Sequence, residues 1–345
     1  MAYPFKNLIF EGGGVKGLAY VGALQELENH QIMEQIKRVG GTSAGAINAV
    51  LLCLGYTLKE TQKILMALDF NNFMDDSWGV VRDTGRLVSK FGWYKGDFFR
   101  GWIGDLLREK TGNENATFNE LKNQGYLDLY LVGTNLSTGY SEVFSYEHTP
   151  RKRVADAARI SMSIPLFFAA VRNMRRDVYV DGGVFNNYPI KLFDREKYVK
   201  TADRKKFARS TKYYRKENRS KPQTSSKYIY NKQTLGFRLD SREEIGVFRD
   251  GAEPSHEKID DFFDYVSALF KAILNVQENQ HLHSDDWSRT IYINTLGIGT
   301  TDFDLSDAKK KKLIKEGLDS TRDYLDWFDK NDPKNPPKNH PAYKD

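Results

Sequence analysis

Residues 39–50 read VGGTSAGAINAV: a valine, two glycines, a threonine and a serine, then a run of small, mostly apolar residues. Within it Gly41-Thr42-Ser43-Ala44-Gly45 matches G-x-S-x-G, in which a sharp strand-to-helix turn exposes the serine oxygen and the flanking glycines make room for the backbone. Five letters occur by chance, so the setting matters more. "IKRVG" ahead of the turn reads as a strand and "AGAINAVLLCLGY" behind it as a helix, which is the setting the pattern requires. A helix beginning at the serine also aims the positive end of its dipole at negative charge developing there.

The same unit occurs once before. "KNLIF" (6–10) reads as a short buried strand ending at Gly12-Gly13-Gly14, and "GLAYVGALQELENH" follows with Leu18, Val21, Leu24 and Leu27 at helical spacing. Two strand–turn–helix units in succession predict an α/β fold on a mainly parallel central sheet, with functional turns at the strands' carboxyl ends. Further strands are expected at 127–136, in "SEVFSY", at 177–183, and in "TLGFRLD" and "TIYINTLGI". Helices are expected in "RKRVADAARISMS" (stopped by Pro165), in "KIDDFFDYVSALFKAIL", and in the last long segment behind Ser306 as N-cap. Thr117 and Glu120 fit a capping box, and Asp97 is the expected N-cap of a helix whose face is Phe98, Phe99, Trp102, Ile103, Leu106 and Leu107.

With 345 residues, 40% of them hydrophobic, the chain can bury a large core. It is expected to form one unit over 1–330, with insertions at about 70–112 and 191–230 and a disordered, proline-rich tail at 331–345. The single cysteine, Cys53, rules out an intramolecular disulfide framework and fits a reducing compartment. No stretch reaches the roughly 18 apolar residues that span a bilayer, and the first residues lack the signal-peptide pattern. The expected location is cytoplasmic, with membranes met only peripherally.

Charge is unevenly spread. Residues 191–221 hold thirteen Lys/Arg against four Asp/Glu, a local net charge of +9 that leaves −3 for the rest of the chain. Such a run either attracts anionic lipid, nucleic acid or an acidic partner, or is a solvated, partly disordered excursion. The aromatic-rich stretch 70–112 reads as core, with a lid or lipid-facing surface as the alternative.

A nucleophilic Ser43 needs a base. None of the six histidines sits in a glycine turn after a core strand; His148, in "YEHTP", is the one worth considering. Asp181 does sit in such a turn, in "VYVDGGVFNNYP", 138 residues downstream of Ser43, and a carboxylate within hydrogen-bond reach can take the serine proton. Alone, it would be read as an Asp-Gly turn. "FEGGGVKG" (10–17) supplies outward-facing amides of the kind that form an oxyanion hole, with Lys16 adding positive charge. Gly12, Gly14 and Gly17 also match the letters of a dinucleotide fingerprint. That reading needs a carboxylate at the end of the second strand, where this chain has Gly40-Gly41-Thr42-Ser43.

Taken in order, Gly12-Gly13-Gly14-Val15-Lys16-Gly17, Gly41-Thr42-Ser43-Ala44-Gly45 and Asp181-Gly182-Gly183 resemble the three signatures of patatin-like phospholipases. "AARISMSIPLFF" (157–168) is similar to the segment before that family's Asp-Gly-Gly, and the resemblance runs from about residue 6 to 190. It implies a three-layer α/β/α fold and an acyl hydrolase, independent of calcium for catalysis, that needs no cofactor or metal. By it Ser43 is the nucleophile, Asp181 the base, and Gly12, Gly13 and Gly14 the oxyanion hole, supported by Lys16, Gly17, Gly41, Gly45, Gly182 and Gly183. The implied substrate is an acyl ester of a phospholipid at a membrane surface. Because free membrane hydrolysis is toxic to its host, a regulatory activator or ligand is expected; nucleic acid is not. Two alternatives stand: a lipid acyltransferase with the same dyad, and a non-catalytic lipid- or nucleotide-sensing module.

Overall fold

The computed structural model describes residues 3–73, 87, 89–220, 222, 225–254, 256, 258–282, 285–300, 302–330, 335–337 and 340. Strand β1 (Asn7–Phe10) is apolar and buried along its length, and a 3-10 turn (Gly14–Leu18) carries the chain into α1 (Ala19–Asn29). The helix thus begins two residues later than its spacing predicts, because Gly17 and Leu18 still belong to the 3-10 turn. β2 (Arg38–Thr42) and α2 (Ala44–Cys53) repeat the unit around Ser43, and α3 (Leu58–Ala67) follows.

The middle of the chain contributes β3 (Gly92–Tyr94), α4 (Asp97–Thr111), α5 (Phe118–Asn123), β4 (Asp128–Asn135), β5 (Tyr140–Ser145) and α6 (Val154–Ser161). Then come β6 (Leu166–Phe168), β7 (Val171–Arg172), β8 (Val178–Asp181) and the one-turn α7 (Gly183–Asn186). The last third holds β9 (Ala208–Arg209), α8 (Lys212–Asn218), β10 (Tyr230–Asn231), β11 (Thr234–Asp240), α9 (Arg242–Asp250), α10 (Phe262–Leu282), β12 (Thr290–Asn294) and α11 (Asp307–Lys330).

The main sheet has the order β12-β11-β1-β2-β4-β8-β7, with β5 on the free edge of β4. Its centre, β12 to β4, is parallel; β5, β8 and β7 are antiparallel additions. Helices lie on both sides, as the α/β/α reading expects. Leu8 and Phe10 point into the larger core, whereas Ile9 joins a smaller one with Tyr130, Tyr188, Ile190, Phe193 and Tyr198 on the other face, the period-2 alternation of a strand covered on both sides. α1 and α11 cross closely. A side chain on Gly22 would sit 1.8 Å from the Ile314 carbonyl oxygen, and one on Gly317 1.8 Å from that of Ala19.

One register decides the site. β2 pairs with β4 up to Thr42 opposite Val132, and β8 takes over with Asp181 opposite Gly133. Since β5 occupies the other edge of β4 over those residues, β8 continues the edge that β2 leaves. Residue 43 therefore turns off the sheet where residue 181 arrives on it.

Several expectations change. Asp97 is the first helical residue, and the N-cap is Gly96 at φ 71°, where a Cβ would meet Arg159 Nε at 2.3 Å. The Thr117–Glu120 capping box forms as read, and unread ones form at Thr57–Glu60 and Ser241–Glu244. In the aromatic stretch Phe73, Tyr94, Phe99, Ile103, Leu106 and Leu107 are buried and Phe98 is exposed; residues 74–86 and 88 lie outside the described residues.

The basic stretch is folded rather than an open excursion: Asp194, Tyr214 and Asn231 close around Arg289 in a buried network. Of that stretch Lys221 lies outside the described residues, as does most of 331–345. His340, within the expected tail, packs on the rings of Trp287, Tyr292 and Trp327. Among the described residues no helix is long and apolar enough to cross a membrane.

Candidate active site

Ser43 occupies a conformation that costs an ordinary residue on the order of 1–3 kcal/mol, at φ 52° and ψ −126°. The fold holds it there from several sides. Its amide donates to Ser161 Oγ at 3.0 Å, and Ser161 donates onward to the Val132 carbonyl at 2.6 Å. Its carbonyl accepts from Ala46 and Ile47 at the start of α2. The neighbouring Thr42 hydroxyl donates to the Asn186 carbonyl at 2.9 Å. The flanking glycines are needed for space: a Cβ on Gly41 would meet the Gly45 carbonyl carbon at 2.4 Å, and one on Gly45 the Phe10 carbonyl oxygen at 2.4 Å.

Asp181 ends β8 beside this turn and is fully buried. Its amide donates to the Ser163 carbonyl, and its Oδ1 accepts from Gly183 N at 2.7 Å. Its Oδ2 is buried without a hydrogen bond, and the Ser43 hydroxyl, which also donates to Met162 Sδ at 3.5 Å, lies close enough to act on the carboxyl. Serine and aspartate thus stand side by side at the ends of their turns. Burial drives the Asp181 carboxyl upward, against the opposing pull of the Gly183 amide and the Ser43 hydroxyl, to about 7.

The glycine loop arrives from the end of β1. A Cβ on Gly12 would lie 3.0 Å from Ser43 Cβ and 2.3 Å from Asn187 Oδ1, so only glycine fits. The Gly12 amide is engaged, donating to the Asn187 carbonyl at 3.1 Å, while the Asn187 side-chain amide donates to the Gly12 carbonyl at 3.1 Å. Among the described residues, the amides of Gly13, Gly14 and Ala44 make no hydrogen bond. Gly17 packs against Ala44, where its Cβ would stand 3.1 Å from that of Ala44, and Gly182 lies under Thr42 and Val132. Lys16 faces acids: its charge, with the Ser241 amide, outweighs burial and holds Glu244 below the usual carboxylate range. It also opposes the upward push that burial gives Asp240.

Three contributors were not legible in the sequence. Asn187 clamps Gly12, and only its place in "VFNNYP" hinted at a role. Ser161 supports the elbow from α6. Gln277, on α10, donates to the carbonyls of Gly183 and Val184 and accepts from the Asn187 amide, bracing the turn behind Asp181. His148 lies elsewhere: it bonds Ser145 Oγ beside Tyr130, at the end of β4 remote from Ser43, and burial lowers its pKa. His283 lies outside the described residues. No group of three His, Cys, Asp or Glu among the described residues is arranged to hold a metal ion.

The patatin-like phospholipase family model matches residues 8–194. YqhO, an uncharacterized protein of Bacillus subtilis, is 30% identical over 92% of this chain and 97% of its own length. An uncharacterized protein of Acanthamoeba polyphaga mimivirus is 37% identical over 55% of this chain, and the matched part is 61% of its own length. A cGAMP-activated phospholipase of Pseudomonas aeruginosa is 29% identical over 53% of each chain. Among solved structures, VipD from Legionella pneumophila shares the fold at a TM-score of 0.56 and 18% identity, over 94% of this chain and 67% of that one.

Proposed function

The chain belongs to the patatin-like phospholipase family, and on that premise we propose that it is a serine acyl hydrolase that cleaves acyl esters of phospholipids with Ser43 and Asp181. The observation that carries this reading is the buried Oδ2 of Asp181, left without a hydrogen bond beside a serine held in a strained elbow. Buried polar atoms are ordinarily hydrogen-bonded, so an open carboxylate oxygen beside the serine leaves a place for its proton.

In the proposed reaction Ser43 Oγ attacks the ester carbonyl carbon and its proton passes to the Asp181 carboxylate. The carbonyl oxygen becomes an oxyanion held by the amides of Gly13 and Gly14, with Ala44 at the start of α2 as a further donor. Gly12 keeps the loop in place through Asn187. The intermediate collapses, the C–O bond to the leaving alcohol breaks, and the Asp181 proton goes to that oxygen. Water, deprotonated by Asp181, then attacks the acyl-enzyme, and Ser43 leaves with the proton returned.

Ser43 is only 4% exposed and Asp181 fully covered, so an ester must displace part of the cover to reach them. α10 is the element that moves in this reading, since Gln277 and Phe270 rest directly on the turn after Asp181. That requirement agrees with a gated enzyme, and a relative named for its activation by cGAMP makes a small-ligand activator a reasonable candidate. Free fatty acid release from mixed phospholipid vesicles tests the reading. Wild type releases it, whereas folded Ser43→Ala and Asp181→Ala proteins do not; full release by Ser43→Ala refutes the mechanism.

A further inference from the structure

The β7–β8 hairpin, "VRNMRRDV" (171–178), is built around Asn173. Its Oδ1 accepts from the amides of Arg175 and Asp177, and its Nδ2 donates to Asp177 Oδ2. This ordered tip presents Met174 wholly to solvent, at 103% exposure, between the exposed Arg172, Arg175 and Arg176. Arg175 and Arg176 make no ion pair among the described residues, and Arg172 only covers the exposed ring of Phe91. A large apolar side chain held out on a braced turn, ringed by uncompensated guanidinium groups, contributes nothing to this fold. It suits an interface that is apolar inside and anionic at its rim.

The surroundings extend the same character. The β4–β5 turn lies against the hairpin base, where the Leu136 amide donates to the Val178 carbonyl at 2.8 Å, and it exposes Leu136 and Tyr140 (48% and 74%). Phe185, four residues beyond Asp181, is also exposed. All of these sit at the catalytic end of the sheet, and Asp181 lies three residues along β8 from Val178, about 10 Å by strand rise. The basic stretch is at the other end: Lys200 stands near Lys6 and Lys37, beside the starts of β1 and β2, where burial and then those two charges push the Lys6 ammonium down.

We propose that the protein docks on anionic lipid surfaces through the β7–β8 hairpin, with Met174 entering the acyl boundary and Arg172, Arg175 and Arg176 engaging lipid phosphates. The inference takes its purpose from the acyl-hydrolase reading, since docking at this end delivers a lipid ester to Ser43; the binding itself does not require Ser43. It assigns the basic stretch at 191–221 no part in that docking, because a membrane held there would face the wrong end of the sheet.

Flotation of the full-length protein with phosphatidylcholine–phosphatidylserine vesicles tests it, alongside turnover of the water-soluble ester p-nitrophenyl butyrate. The Met174→Asp/Arg175→Glu/Arg176→Glu protein is expected to lose roughly tenfold or more of its partition into anionic vesicles. Its thermal unfolding and its turnover of the soluble ester stay unchanged. Lys205→Glu/Lys206→Glu/Lys212→Glu, altered on the far face, is expected to bind as wild type does. Ser43→Ala binds too, so hairpin-dependent binding together with full fatty acid release by Ser43→Ala would defeat the hydrolase reading and leave this one standing. Unchanged partition of the hairpin variant, partition that follows the far-face lysines, or capture by a single-stranded RNA oligonucleotide with no vesicle binding would each overturn it.

Discussion

Asp181 and Asp194 are both fully buried and thirteen residues apart, and the fold treats their carboxylates in opposite ways. Asp194 is saturated: Arg289 reaches both of its oxygens at 2.6 Å, the Asn231 amide donates to Oδ1 and the Tyr214 hydroxyl to Oδ2. Asp181 receives one backbone amide, and its second oxygen faces Ser43 without a hydrogen bond. The first pattern ties the basic stretch to the sheet, since a buried ion satisfied by a bidentate partner holds two segments in one geometry. The second leaves one oxygen open, and a carboxylate with a spare oxygen in a dry site can still accept a proton. The two acids lie at the same depth and differ in the number of donors around them.

Neutralising each acid in turn separates their roles. Asp181→Asn is expected to lower kcat/KM on a lipid ester by roughly 10³–10⁶ while leaving a folded protein. Asp194→Asn should do the reverse, destabilising the fold by about 3–5 kcal/mol, read by urea unfolding, while the folded fraction keeps activity within a few-fold of wild type. Equal effects on activity would mean that the two acids do not differ in role.

The pH dependence sharpens the contrast further. Asp181 must be ionised to act as a base and titrates at about 7, so kcat/KM on a soluble ester should rise with pH through that value as one proton is lost. Stability moves the other way. A carboxyl whose folded pKa is raised contributes stability in full below about pH 4 and loses it as pH climbs through about 7. Asp181→Asn should therefore be more stable than wild type at pH 8, by on the order of 2–4 kcal/mol, with the advantage vanishing toward pH 4. Calorimetric melting across that range checks it; a pH-independent difference would contradict the raised titration.

The smallest expected effect lies at the elbow. Ser43→Gly relieves the unfavourable backbone at φ 52° and should raise stability by about 1 kcal/mol in a melting experiment, while activity disappears. A loss of stability would mean that the elbow is not strained.

Much of the site was readable along the chain because its pieces are local. Gly41, Ser43 and Gly45 obey the sterics of one turn, and the glycine run after β1 states its own backbone requirement. The capping box at Thr117 is a contact between residues three apart, and it formed as read. Where the reading missed, a distant residue had intervened. Arg159 packs where a side chain at residue 96 would go, and glycine there, rather than Asp97, is the N-cap. Asn187 occupies the Gly12 amide that looked available for an oxyanion. The basic stretch looked as though it could be open chain because its anchor, Arg289, lies far beyond it in the sequence, 95 residues from Asp194.

The chain alone fixes the local chemistry: which turns must bend sharply, where a serine stands in such a turn, and which carboxylate follows a strand into glycines. These depend on backbone sterics within a few residues. Only the tertiary structure decided that Ser43 and Asp181 meet, because that rests on β8 taking up the edge of β4 at Gly133 where β2 leaves it at Val132. It also decided that Asp181 titrates near neutrality, because that shift comes from burial, and no sequence neighbour sets how much water the rest of the fold excludes.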